Sequence, residues 1–513
     1  MAIRNFPSRD YRLISTYKTD VPLDDGAIEE KVEQAWWSPD IPRDQLKALM
    51  QRTNRYGLLD FGLWIILLGV SGYLAWISWG TWWAILAFFV YGTLYSSSDA
   101  RWHECGHGTV FRTRWLNELF YHISSFMTIR EANLWRWSHA RHHTNTYLVG
   151  YDPEIQVQRP ADLIIFAMDF FFLRGVLEVQ RVIRHAAGQV GDDVRSFVPA
   201  SELPKVIWTS RIYLAIVAAF AVWAVAVGSF LPMMFVWLPR FYGAFVEQML
   251  AVTQHAGLGE DTNDHRENTR TIYLNPVFRY LYMNMNYHIE HHVIPMVPYH
   301  ALADLHELMK SQTPPPYRSL WQAYKEMIPA LYKQATKDPD YYIKRPIPDA
   351  GTTVEAFDIP IGGVVTSSRA LSDEPVANVR DGTRVPAESV DTSIEEIRTA
   401  TAVNTDAEEC SWIEVCKVSD IEVEDVLGFD YNDHTYAIYR LGPHAFFASD
   451  GLCTHEETKL AAGFVFDGCI ECPLHLGRFD IETGKALSAP VTKDLKTYPV
   501  ELRGDQVFIQ VEG

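Results

Sequence analysis

Between Asp60 and Asp99 the chain carries no charged residue, so a soluble fold would have to bury this interval on every side. A helix that crosses a bilayer needs roughly 20 apolar residues. The interval is long enough for two such helices, with Gly80-Thr81 as a natural hinge. Arg52 and Arg55 precede it and Arg101 follows it, while the hinge is uncharged. The bias of basic residues toward the cytoplasmic side then puts both ends inside and the hinge outside. Arg211 and Arg240 bound a second uncharged stretch, interrupted at Gly228-Ser229-Phe230-Leu231-Pro232. Spans at about 207–227 and 231–252 are expected there, giving four spans in two hairpins. Core helices of a soluble bundle are the alternative, but they rarely run this far without a charged face.

The rest of the chain divides by composition. Residues 1–56 read as a cytoplasmic lead-in, and the stretch MAIRNFPSRDYRLISTYKTD contains no apolar run that would predict a cleaved signal peptide. Residues 57–345 form the expected membrane domain; the charge-punctuated apolar stretch from about 117 to 185 suits helices lying on the membrane surface as a cytoplasmic cap. Residues 346–409 are a linker: from 351 on, 12 Asp/Glu stand against 4 Arg, with many Thr, Ser, Val and Ala. Residues 410–513 alternate short β-branched runs with Gly and Asp, as in Gln506-Val507-Phe508-Ile509-Gln510-Val511, and predict a small antiparallel β domain. The fold class expected is therefore multi-domain, an α-helical membrane domain followed by a small all-β domain. The formal net charge of −19 and the lack of a basic patch argue against nucleic acid as a partner. Five of the six cysteines lie beyond residue 400, unlike a dense secreted disulfide scaffold.

Three histidine clusters fall in loops expected to be cytoplasmic: His103-Glu104-Cys105-Gly106-His107, His139-Ala140-Arg141-His142-His143 and His288-Ile289-Glu290-His291-His292. Spacings of three and four put imidazoles on one helical face, where two can converge on one metal. His255 follows the last expected span. Nine imidazoles are too many for one zinc and suit a two-metal centre; imidazole accepts iron as well as zinc. His122, His185, His265, His300, His306, His434 and His444 lack such partners and read as structural.

The boxes HxxxH, HxxHH and HxxHH, with the tail NYHIEHHVIPMVPYHALADLH, resemble the membrane fatty-acid desaturase/hydroxylase superfamily over about residues 57–310. The resemblance implies a non-haem di-iron centre held by His103, His107, His139, His142, His143, His255, His288, His291 and His292. It also implies O₂ as co-substrate. Glu104 and Glu290, inside the boxes, are candidates for carboxylates that orient imidazoles; solvated surface carboxylates are the alternative.

Near the C-terminus stand Cys453-Thr454-His455 and, sixteen residues on, Cys472-Pro473-Leu474-His475. Two Cys and two His suit zinc. The asymmetric spacing, the following Gly477 and the surrounding strands instead resemble a Rieske ferredoxin over residues 410–513. That resemblance implies one [2Fe–2S] cluster on Cys453, His455, Cys472 and His475. The loops lack the extra cysteine pair of respiratory Rieske proteins, and so look like the low-potential ferredoxins that feed oxygenases. Cys469 has no evident partner in the sequence and reads as packed.

Together these features predict an integral membrane oxidoreductase, in the cytoplasmic membrane if the source is bacterial, with both metal sites on the cytoplasmic side. The expected reaction is hydroxylation of an unactivated C–H bond in an apolar or methylated small-molecule or lipid substrate, with dealkylation on a methylated heteroatom. An external NAD(P)H-dependent reductase would re-reduce the cluster. The fusion resembles bacterial catabolic oxygenases of the rhizopine-degradation type. An acyl-lipid desaturase is the alternative, and a non-enzymatic, membrane-anchored electron-transfer protein a remote one. A linker of about 60 residues reaches roughly 40 Å and would keep the β domain at high effective concentration.

Overall fold

The computed structural model describes residues 4–14, 36–348, 410–455, 457–473 and 476–512. Residues 15–35 of the lead-in and nearly all of the acidic linker (349–409) lie outside the described residues.

The first charge-free run begins as one helix, Asn54–Ser78, whose N-terminus is capped by Thr53 Oγ1 accepting from Arg55 N (3.1 Å). Its 25 residues rise about 38 Å, enough to cross a bilayer. Gly80, with φ of 84°, turns the chain back into the helix Trp83–Ser96. Arg101, just beyond this return helix, is buried rather than flanking: it donates to Asp60 (3.0 Å) and lies over the Trp64 ring. That pair ties the start of the first helix to the end of the second.

The second charge-free run departs from expectation. Leu203–Ala226 is a long apolar helix of 24 residues, but the expected span 231–252 is broken into a 3-10 turn Leu231–Phe235 and two short helices, Leu238–Gly243 and Phe245–Ala251. Pro232 and Pro239 remove backbone donors, and Trp237 takes a left-handed φ of 55° between the pieces. Two helices among the described residues are long and apolar enough to cross a membrane: the one ending at Ser78 and Leu203–Ala226. Both carry rows of exposed large apolar side chains, among them Leu59, Ile66, Val222 and Val225. The broken segment packs closely on the return helix, because a Cβ on Gly243 would stand 2.0 Å from the backbone of Gly92. This contact leads the chain to His255.

Short helices beyond the apolar layer carry the histidine clusters: Ser98–His107, Ala132–Thr144 and His288–Val293. The segment 36–50 packs beneath them, with Trp37 and Met50 in one core with Ile289, Ile294 and Leu305.

The C-terminal unit is all-β and antiparallel. Its strands are β1 (Cys410–Lys417), β2 (Asp425–Tyr431), β3 (His434–Arg440), β4 (Phe446–Asp450), β5 (Phe464–Phe466), β6 (Cys469–Glu471), β7 (Arg478–Asp480), β8 (Thr497–Tyr498), β9 (Val500–Arg503) and β10 (Gln506–Glu512). They form three sheets, in the orders β1-β10-β9, β2-β3-β4-β8 and β5-β6-β7. Asp467-Gly468, both with positive φ, close the β5–β6 hairpin as a two-residue turn that matches strand twist. The two Cys-bearing loops follow β4 and join β6 to β7.

Candidate metal centre

The structure brings the nine histidines of the three clusters and His255 together in one buried group, each 9% exposed or less. They fall into two sets. His103, His107, His139, His143 and His291 offer nitrogens that lie within 4.8 Å of one another; His142, His255 and His292 form a second such set. His288 joins the second set, with its Nε2 3.1 Å from Nε2 of both His255 and His292. In the first set, His139 Nε2 lies 3.1 Å from His107 Nε2 and 3.2 Å from His143 Nε2, and His291 Nε2 lies 3.3 Å from His143 Nε2. Metal–imidazole bonds of about 2.1 Å place adjacent ligand nitrogens at about 3 Å. The donor sets therefore fit two metal ions.

The far side of the rings explains the orientation. With Nε2 unprotonated, Nδ1 carries the proton: His139 donates to Glu154 Oε2 (3.1 Å), His142 to Asp152 Oδ2 (2.9 Å), His255 to the Asn268 carbonyl (2.9 Å) and His292 to Thr146 Oγ1 (3.1 Å). His288 Nδ1 faces the Gln254 amide at 3.3 Å. Burial, and then neighbouring imidazoles, hold His103, His107, His143, His288 and His292 well below the ordinary histidine value, in the neutral form that binds metal.

Glu104 and Glu290 are both fully buried, which corrects the surface alternative. Glu104 Oε1 stands 3.3 Å from His103 Nδ1 and 3.7 Å from His291 Nδ1. Glu290 reaches no cluster imidazole. It accepts from His306 Nδ1 (2.6 Å) and Thr271 Oγ1 (2.5 Å), bracing the third box against the helix Leu302–Met309. The sequence reading missed Asp152 and Glu154, although Tyr151-Asp152-Pro153-Glu154 follows the second box closely. His265, read as structural, stacks on Trp36 and packs behind His292 outside both donor sets.

A cavity of about 390 Å³ opens beside His103, His139, His142, His255 and His288. Its other walls include Asp99, Arg130, Glu154, Arg181, Arg240 and Glu247, with Trp102, Trp135 and Tyr282 between them.

In the β domain, Cys453 and Cys472 are buried at the ends of two tight loops. Cys453 N donates to Thr458 O and Cys472 N to Gly477 O, both at 2.8 Å. His475 lies outside the described residues. Cysteines at two loop bases and an imidazole on the first loop fit the asymmetric donor set of a Rieske cluster.

The fatty acid desaturase family model matches residues 79–324 and the Rieske [2Fe-2S] domain model matches residues 411–499. The ferredoxin component of the naphthalene 1,2-dioxygenase/salicylate 5-hydroxylase systems of Ralstonia sp is 43% identical over 102 residues, covering 20% of this chain and 97% of the relative. The chain joins a fatty acid desaturase family domain to a Rieske ferredoxin. The naphthalene 1,2-dioxygenase system ferredoxin component of Pseudomonas putida is similar to the Rieske domain at 45% identity over 100 residues, covering 20% of this chain and 95% of the relative. A solved chain from the complex of reduced oxygenase and oxidized ferredoxin in carbazole 1,9a-dioxygenase is 32% identical and covers 19% of this chain and 91% of that one, with a TM-score of 0.19. The desaturase domain with its histidine clusters implies a di-iron centre, the Rieske domain a [2Fe–2S] cluster, and the two together an O₂-dependent oxidoreductase.

Proposed function

We propose that this oxidoreductase is a membrane-bound monooxygenase that hydroxylates a C–H bond of a compact, polar, methylated molecule, with dealkylation where the methyl group sits on a heteroatom. The observation that carries this reading is the charged cavity beside the histidine centre. Its walls pair among themselves and with neighbours, Arg130 with Asp99 (3.4 Å), Arg240 with Glu247 (3.2 Å) and Arg181 with Glu131 (3.3 Å). An acyl chain laid against them would take water from their remaining polar edges without replacing its hydrogen bonds. A small molecule with hydroxyl or amino groups would replace them. Of the apolar and methylated substrates expected from sequence, the cavity favours the methylated kind.

In this reading the nine histidines hold the two irons, and Cys453, His455, Cys472 and His475 hold the cluster. The iron pair supplies oxygen chemistry and the cluster supplies electrons one at a time. The chain's own groups do the rest. Asp152 Oδ2 and Glu154 Oε2 keep the protons of His142 and His139 on Nδ1, so both Nε2 lone pairs face the centre. Trp102 and Trp135 wall the cavity beside the first set. Arginines and carboxylates opposite them are placed to fix a substrate by its polar groups.

The proposal puts Asn54–Ser78, Trp83–Ser96, Leu203–Ala226 and the broken segment through residue 251 in or against the bilayer, with the histidine helices as a cytoplasmic cap. The units are 57–345 for the membrane domain and 410–513 for the Rieske domain, joined by the acidic linker 346–409. An external NAD(P)H-dependent reductase is the expected electron source. A desaturase is the second reading, favoured by the family model over residues 79–324. Product analysis under ¹⁸O₂ decides between them, using detergent-purified protein, a reductase and a panel of methylated amines, ethers, alkanes and lipids. The expected product is a labelled alcohol, or a promptly trapped labelled aldehyde after dealkylation. An unlabelled product with a new double bond would overturn hydroxylation.

A further inference from the structure

The Rieske domain rests on the desaturase domain with the β6–β7 hairpin, which carries the second cluster loop, turned toward the histidine centre. Glu471, the residue before Cys472, is fully buried and is clasped from both sides. Arg52 Nη2, from the segment before the first long helix, donates to Glu471 Oε1 (2.9 Å) and Oε2 (3.1 Å). Arg478 Nε, from β7, donates to Glu471 Oε2 (2.7 Å), and its Nη2 donates to the His107 carbonyl (3.1 Å). A run of bonds and hydrogen bonds thus connects the residue beside Cys472 to a histidine of the centre.

Contacts around the clasp are complementary. Leu476 is buried in one core with Ile289 and Ile294 of the third histidine box. It also lines a narrow cavity of about 70 Å³ together with His103, His107, His139 and His143. Arg114 Nη2 donates to Cys469 Sγ (2.7 Å), which gives that cysteine a role at the interface. At the rim, Arg43 and Lys47 meet Asp425 at 3.0 and 3.5 Å, and Arg43 also donates to the Gly463 carbonyl. Basic groups on the helical side face acidic groups and carbonyls on the β side, the pattern that fixes the register of a docked pair. The first cluster loop behaves differently, since His455 and Glu457 are exposed.

We infer that the Rieske domain docks on the desaturase domain of its own chain through the Arg52–Glu471–Arg478 clasp, and that electrons leave it on the Cys472 side, by way of Glu471 and Arg478, toward His107. This rests on the functional reading above, and deepens it by assigning delivery to one chain and one face. In each delivery a reduced cluster held by Cys453, His455, Cys472 and His475 would give up one electron, and an iron held by the histidines would be reduced by one. Two deliveries, each after re-reduction by the NAD(P)H-dependent reductase, supply the two electrons that accompany O₂ and two protons when C–H becomes C–OH and water.

The test uses the full chain and a rim pair that supplies no ligand to either metal site. Hydrogen exchange on the intact protein reads docking directly. Residues 107–114 and 463–478 are protected in the parent, exchange about tenfold faster in R43E/K47E, and regain protection when D425R is added. Anaerobic stopped-flow then follows cluster reoxidation by the ferric centre. The rate is first-order and unchanged over a tenfold range of protein concentration, falls about tenfold in R43E/K47E and recovers with D425R. The electron paramagnetic resonance signal of the reduced cluster stays the same in all three. A reoxidation rate proportional to protein concentration, or exchange indifferent to the charge reversals, would overturn the inference. The labelling experiment separates the two readings: a labelled alcohol with concentration-dependent transfer removes docking and keeps hydroxylation. A new double bond with concentration-independent transfer does the reverse.

Discussion

In the four-histidine set, His142, His255 and His292 each donate from Nδ1 to a fixed oxygen, of Asp152, Asn268 and Thr146, and His288 faces the Gln254 amide. In the five-histidine set only His139 has a close carboxylate, Glu154; His103 and His291 share Glu104 at 3.3 and 3.7 Å, and His143 Nδ1 has no hydrogen-bond partner among the described residues. The first arrangement fixes ring orientation before metal arrives. The second leaves rings free to adjust, and it is the set that the docked Rieske domain touches through His107. One half of the centre is built as an anchor and the other as a responsive site.

The largest effects should come from removing donors. His292→Ala in the anchored set and His143→Ala in the adjustable set should each abolish turnover and lower bound iron by about one atom per chain, as measured by plasma emission spectroscopy. Equal retention of two irons in both variants would break the division into two sets.

The metal-free chain should be sensitive to acid. Burial, with neighbouring imidazoles, depresses His103, His107, His143 and His291 in one set and His255, His288 and His292 in the other. Depressed histidines mean that the unfolded chain binds protons first, so stability is complete above the unfolded value of about 6.5 and is lost as pH falls below it. His142 opposes the trend: burial lowers it, but Asp152 lifts it above the ordinary value. The unfolding midpoint of chelated protein should drop as pH is taken from about 7 to about 5. A flat profile would mean that the imidazoles are not buried neutral.

A narrower comparison sets Asp152→Asn against Glu104→Gln. Carboxylates that orient a ligand histidine contribute about 10–100-fold to metal affinity. Asp152→Asn should show that loss in chelator competition, and Glu104→Gln, whose contacts are longer, a smaller one. The reverse order would make Glu104 the principal anchor. The smallest expected effect is at Gly108, the left-handed cap after His107 (φ 68°), where a Cβ would meet Arg478 Nη2 at 2.7 Å. Gly108→Ala should cost about 1 kcal/mol in helix capping. It should also raise hydrogen exchange in the β6–β7 hairpin while leaving iron content unchanged.

Much of this was legible in the chain itself. Spacings of three and four on short helices made each histidine box a local unit, and the Cys-x-His and Cys-x-x-His loops marked the second site. The charge-free runs announced an apolar layer. The fourth expected span failed because charge counting ignores Pro232, Pro239 and the left-handed Trp237, which break a helix without adding charge. Asp152 and Glu154 were missed because a carboxylate's role depends on which ring it meets across a loop. Cys469 looked solitary because its partner, Arg114, lies 355 residues away.

The sequence by itself determined the donor types, their pairing on helical faces, and the presence of two metal chemistries in one chain, since each is set within a few consecutive residues. Only the tertiary structure decided which imidazoles share a site, that the neighbouring cavity is charged, and which cluster loop faces the centre. Those properties arise where helices and strands remote in the chain bring their side chains together, and backbone spacing carries no record of that packing.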